Sequence, residues 1–152
     1  MVSFLEINRN EALDILIKKL ENTFDYISLG SCSHSLASIQ FINDNKWTKF
    51  CVDTQCSSFD SLIKTAINNY GTIVDWGSVT QIKKKEHYIM KMRFNISECN
   101  EGLCISRRIN SRNFFILELG TKGSFASFHE NYINSKNIID NIYNSIKEQL
   151  SK

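Results

Sequence analysis

Four short apolar runs, arranged as two closely spaced pairs, constrain this chain more than any other feature. YISLGSC (26–32) and LASIQFI (36–42) are separated by Ser33, His34 and Ser35. GLCISRRI (102–109) and FFILELGT (114–121) are separated by Asn110, Ser111, Arg112 and Asn113. Apolar runs of this length, joined by a few turn-forming residues, predict antiparallel hairpins, the second pair supplying the central strands. A sheet of this kind must be covered, and the flanking sequence offers the cover. Leu13, Leu16, Leu20 and Phe24 recur at helical spacing after a capping Asn8 whose third helical position is Glu11. Ile138, Ile139, Ile142, Tyr143, Ile146 and Leu150 form a second stripe on a helix starting near Asn134 or Ser135.

Between the hairpins, KWTKFCV (46–52) and SSFDSLIKTAINNY (57–70) read as short helices outside the sheet, and Gly71 is placed to terminate the second. QIKKKEHYIMKMRFN (81–95) reads as a long, solvated helix. The expected fold is α+β, an α-β-α sandwich with a central, mainly antiparallel sheet of about five strands flanked by helices on both faces. No internal period indicates a repeat architecture, so residues 1–152 are expected to form a single domain.

Composition narrows the function classes. Eighteen basic and 16 acidic residues give a net charge of +2, too balanced to predict nucleic-acid or membrane affinity. The amino terminus has neither a basic region nor an apolar run of signal-peptide type, and five cysteines cannot all pair. Free thiols in a cytoplasmic protein are expected. Polar residues interrupt every apolar run, so no membrane span is predicted. No proline is present, which leaves glycine, asparagine and serine to mark the boundaries.

Catalytic and cofactor chemistry finds little support. The six glycines are scattered, and no phosphate-cradling motif occurs. His34, His87 and His129 stand apart from one another and from any cysteine at metal-ligand spacing, so neither a metal nor a cofactor is expected. Cys32, Cys51, Cys56 and Cys104 lie in apolar surroundings, which favours buried structural thiols over nucleophiles. Lys83, Lys84, Lys85, Lys91 and Arg93 concentrate positive charge; a solvated helix face accounts for them more simply than an acidic partner. Arg107, Arg108 and Arg112 read as charges guarding a strand edge.

The segment from Trp47 to Trp76 is different, because two tryptophans bracket Asp60 in an otherwise apolar helical pattern. Tryptophan brings an apolar wall and one N–H donor, and a sheltered carboxylate brings acceptors. Such a set suits a ligand carrying both a carbonyl and an amide N–H. Ordinary packing, with Asp60 facing solvent, is the alternative on composition alone.

This block resembles the signature of LuxR-family autoinducer-binding domains, which bind acyl-homoserine lactones. In that family a tryptophan is followed thirteen positions later by an aspartate, as Trp47 is by Asp60-Ser61-Leu62, and a second tryptophan matches Trp76 with one extra residue. Phe24-Asp25-Tyr26 resembles the aromatic entry to the first strand. Gly102-Leu103-Cys104-Ile105 and Phe114 to Thr121 resemble the two central strands. The resemblance spans roughly residues 10–150. It implies that the Trp47 indole donates to a lactone carbonyl, that Asp60 accepts from the ligand amide, and that Trp76 forms the wall. Asn43 and Cys51 stand where the family has tyrosines, and Ser61 and Ser106 where it has prolines; Asn43 and Cys51 then complete a reshaped pocket.

The resemblance implies a non-enzymatic sensor of an acyl-homoserine lactone or related amphiphile, acting through dimerisation over residues 134–150. No DNA-binding domain, and so no direct nucleic-acid contact, is expected within this chain. Three rivals stand beside this expectation: a ligand-independent anti-activator that heterodimerises with a full-length regulator, a small secretion chaperone, and a cysteine-dependent enzyme.

Overall fold

The computed structural model describes residues 10–33, 37–43, 46–47, 49–50, 61–79 and 84–150. Helix α1 (Glu11–Glu21) opens the described chain and leads into strands β1 (Tyr26–Cys32) and β2 (Ala37–Ile42). Helix α2 (Ser61–Asn68), the three-residue strand β3 (Ile73–Asp75), and helices α3 (Trp76–Val79) and α4 (Lys84–Ser97) follow. Strands β4 (Glu101–Arg108) and β5 (Phe114–Thr121) then precede helices α5 (Phe125–Asn134) and α6 (Lys136–Leu150).

Both predicted hairpins pair antiparallel, and β5 lies between β1 and β4 in a five-stranded sheet of order β2-β1-β5-β4-β3. The α+β class expected from the sequence is therefore present. Asn10 caps α1 in place of Asn8, its Oδ1 accepting from the Leu13 amide at 2.8 Å. The Asn8 assignment is corrected because Glu11 already lies in the first turn, and a cap precedes that turn. Leu13, Ile17 and Leu20 are the residues that α1 buries.

Three elements escaped the sequence reading, the short helix α3 (Trp76–Val79) among them. Strand β3 adds only Ile73, Val74 and Asp75 to the sheet edge, paired with Ile105, Cys104 and Leu103. Helix α5 starts behind Ser124, whose hydroxyl accepts from the Ser127 amide. Gly71 terminates the turn after α2 with a φ of 85°, a conformation that suits glycine.

Successive strand residues alternate between faces, and every strand of the sheet's interior obeys this. Ile27, Leu29, Leu103, Ile105, Phe115, Leu117 and Leu119 pack in one cluster with Leu13 and Ile17 of α1, Phe128 of α5, and Ile139, Ile142 and Ile146 of α6. The alternate residues, among them Tyr26, Cys104, Phe114 and Ile116, pack in a second cluster with Trp47, Leu62, Ala66 and Trp76. Helices thus cover both faces. The apolar stripe of α6 belongs to the first cluster, facing its own domain. No helix among the described residues is long and apolar enough to cross a membrane.

Candidate functional site

The face bearing both tryptophans is shaped by two opposed glycines. Gly102 and Gly120 pair across β4 and β5 and point to the same face, where the Trp76 indole lies against them. A Cβ on Gly102 would stand 2.1 Å from Trp76 Cδ2, and one on Gly120 would stand 2.9 Å from Trp76 Cη2. Only hydrogen fits at Gly102. Tyr26 and Phe94 meet the Trp76 ring edge-on, with centroids at 5.2 and 5.6 Å. Trp47 is equally buried and stacks on Phe50 at 5.1 Å.

Between the tryptophans lies a group that the sequence reading placed in solvent. Arg93 of α4 is only 1% exposed, and its guanidinium carbon stands 4.8 Å from the Trp47 ring centroid and 5.7 Å from that of Trp76. The solvated-face assignment of Arg93 is corrected here. On helix α4, Met92, Phe94 and Ile96 pack against the core cluster. Arg93 follows the buried side inward. Its Nη2 donates to Glu118 Oε1 at 3.5 Å, and the Tyr26 hydroxyl donates to Glu118 Oε2 at 3.1 Å.

Glu118 is 2% exposed in β5, every residue of which is buried. A carboxylate there requires a partner, because removing either member of a buried ion pair costs about 3–5 kcal/mol. A desolvated cation over indole contributes roughly 2 kcal/mol or more. Tyr26, Arg93 and Glu118 are the residues that sequence reasoning missed. Glu118 left a signal, being the lone charge in an eight-residue apolar strand; Arg93 left none, because its charged neighbours disguised it.

The fully buried Trp76 Nε1–H has no acceptor among the described residues. Buried polar groups are paired in the great majority of cases, so an unmatched indole donor calls for an explanation. Asn43, expected in the pocket, works at the strand boundary. Its Oδ1 accepts from the Ile27 amide at 2.8 Å, and its Nδ2 donates to the Asp25 carbonyl at 3.2 Å. Asp60 and Cys51 lie outside the described residues. The structure therefore brings Trp47 and Trp76 together through Arg93, and holds Asn43 on β1.

Other sequence-level expectations have definite positions. Cys32, Cys99 and Cys104 are buried, and burial pushes the Cys32 thiol up to about 12. Cys56 lies outside the described residues. Arg107 pairs with Asp140 of α6 at 2.7 Å, and Arg108 lies over Tyr70 with its guanidinium carbon 4.7 Å from the ring centroid. Ser106, at a position where proline would remove an N–H, donates its hydroxyl to the Ala66 carbonyl and ties β4 to α2. A separate groove of about 530 Å³ opens between β3 and α5, lined in part by Ile73, Leu103, Phe125, Phe128 and His129. It contains neither tryptophan.

The fold has counterparts among solved structures. The crystal structure of CepR2 from Burkholderia cenocepacia, described as an N-acylhomoserine lactone dependent LuxR family transcription factor, superposes with a TM-score of 0.64 at 12% identity, covering 92% of this chain and 96% of that one. The VqsR ligand-binding domain from Pseudomonas aeruginosa gives 0.65 at 11% identity, covering 91% and 85%. The chain has the LuxR-type ligand-binding-domain fold. Escherichia coli SdiA gives 0.64 at 11% identity, with 94% of this chain covering 63% of SdiA. No family model and no curated protein sequence matches the chain. The LuxR-type fold is thus shared in three dimensions at identities of 11–12%, where few side chains coincide.

Proposed function

We propose that this domain senses a small amphiphilic molecule of the acyl-homoserine lactone class in the chamber between Trp47 and Trp76, and responds through dimerisation. The observation that carries this reading is the buried Trp76 N–H without an acceptor among the described residues, on a LuxR-type scaffold. A ligand carbonyl supplies the missing acceptor. Trp47 is the second indole donor, Asp60 the acceptor for a ligand amide, and Cys51 borders the site, while Asn43 holds the strand boundary. An acyl chain lying against the sheet contributes about 0.8 kcal/mol per buried methylene. The domain acts in the cytoplasm as part of a transcription-regulating, quorum-sensing circuit.

The proposal is tested by thermal melting with a series of acyl-homoserine lactones. Ligand at a hundredfold its Kd stabilises the native state by about 2.7 kcal/mol, which raises Tm by roughly 5–10 °C for a chain of this size. Asp60→Ala should abolish the rise. An unchanged Tm with every lactone would overturn direct sensing of this class.

A second reading is favoured by the Arg93–Glu118 pair, which places charged side chains of the protein itself between the indoles. In this reading the domain needs no small molecule and heterodimerises with a longer regulator through residues 134–150. The α6 stripe serves its own core, so the partner meets the outward positions Asn137, Asn141 and Asn144. Capture of the regulator by the Asp60→Ala variant as efficiently as by the wild type distinguishes this reading.

A further inference from the structure

We infer that Tyr26, Trp47, Trp76 and Glu118 form a cation-recognition cage of guanidinium class, occupied in cis by Arg93. Three observations converge on it. The Arg93 guanidinium is held between two buried indoles, at 4.8 and 5.7 Å from their centroids. Its charge is balanced within the same chamber by Glu118, at 3.5 Å. That carboxylate is in turn fixed by the Tyr26 hydroxyl at 3.1 Å.

Each component has its own support, which makes the cage a built site. Tyr26 and Glu118 stand on adjacent strands: Tyr26 pairs with Gly120 and Ser28 with Glu118, so the hydroxyl reaches the carboxylate diagonally on one face. Trp76 is pinned by Gly102 and Gly120 beneath it and by Tyr26 at its edge. Arg93 arrives from α4, an element outside the sheet, and is the one cationic side chain among the described residues that is fully buried. Arginine suits this position because its planar, weakly hydrated guanidinium stacks on aromatic faces and pairs with a carboxylate at its edge. A lysine ammonium does the first less well.

The consequence is a chamber that is filled and charge-balanced before any small molecule arrives. The domain folds with Arg93 as its internal ligand, and a molecule entering between the indoles must move the guanidinium aside. This device is independent of which lactone, if any, the domain senses.

The experiment removes the occupant and returns it in trans. In Arg93→Ala the missing atoms correspond to ethylguanidinium, which serves as the probe at millimolar concentration in thermal melts of the full chain. The variant should lose roughly 6–20 °C of Tm, as expected for an unpartnered buried carboxylate. Ethylguanidinium should restore part of the loss saturably and leave wild type unchanged. The double variant Arg93→Met with Glu118→Leu, which removes both charges of the pair, should melt within a few degrees of wild type or above it.

An Arg93→Ala protein with wild-type Tm overturns the inference. So does a destabilised Arg93→Ala protein that ethylguanidinium does not rescue. If Arg93→Ala does not fold, a cooperative melt of the double variant near the wild-type Tm supports the cage, and an unfolded double variant overturns it. A lactone-induced rise in the wild-type Tm is a separate readout, so failure of sensing and failure of the cage are distinguishable.

Discussion

Individual side chains here have sharply different tolerances. Gly102 and Gly71 illustrate this, since both are glycine for unrelated reasons. Alanine at Gly102 would put its Cβ 2.1 Å from Trp76 Cδ2; the indole must shift, at a cost of about 1–3 kcal/mol. Alanine at Gly71 meets nothing within 4 Å but must adopt a φ of 85°, costing roughly 1–2 kcal/mol from the backbone alone. Urea denaturation should show both losses, and only Gly102→Ala should alter tryptophan emission. An unchanged spectrum in Gly102→Ala would contradict the platform. Cys32 gives a pH-dependent counterpart. Burial raises its thiol from 9.0 to about 12, so the native state holds the proton more tightly than the unfolded chain. Its contribution to stability is complete below pH 9 and is lost as pH rises toward 12. Urea midpoints at neutral and alkaline pH should fall further for wild type than for Cys32→Ala, and Cys32 should resist alkylation at neutral pH.

At the scale of elements, α6 carries the clearest commitment. Its stripe of Ile139, Ile142 and Ile146 is completely buried against α1 and the sheet. Ile142→Ala should therefore cost about 2–5 kcal/mol, whereas Asn141→Ala on the exposed side should stay within about 0.5 kcal/mol. Equal effects in denaturant melts would refute the assigned facing. The stripe, the hairpins and the first helix were legible in the sequence because each repeats a single period over several residues. Strand β3 was not, since three residues, only one of them buried, carry too little alternation. Helix α5 buries Phe128 and exposes Phe125, leaving a weak stripe. Within the candidate site, the tryptophans were legible through their spacing. Arg93 was not, because nothing local separates an inward arginine from four lysines on the same segment; only the distant Glu118 makes its burial tolerable.

For the whole molecule, the sheet divides two cores with different characters. One, beneath α1, α5 and α6, is built of aliphatic side chains with Phe24, Phe115 and Phe128. The other holds both tryptophans, Tyr26 and the buried ion pair, and it is there that the proposed ligand chamber and the cation cage meet. The fold is shared with CepR2, VqsR and SdiA at identities of only 11–12%. Because Trp47 and Trp76 are the only tryptophans in the chain, intrinsic emission reports on the chamber alone. The most direct measurement is accordingly a tryptophan fluorescence titration of the full chain with acyl-homoserine lactones of increasing acyl length. Sensing in the chamber predicts a saturable change in emission whose affinity rises with chain length and which disappears in Asp60→Ala. Emission that stays constant across the whole series, up to the solubility of each lactone, would contradict it.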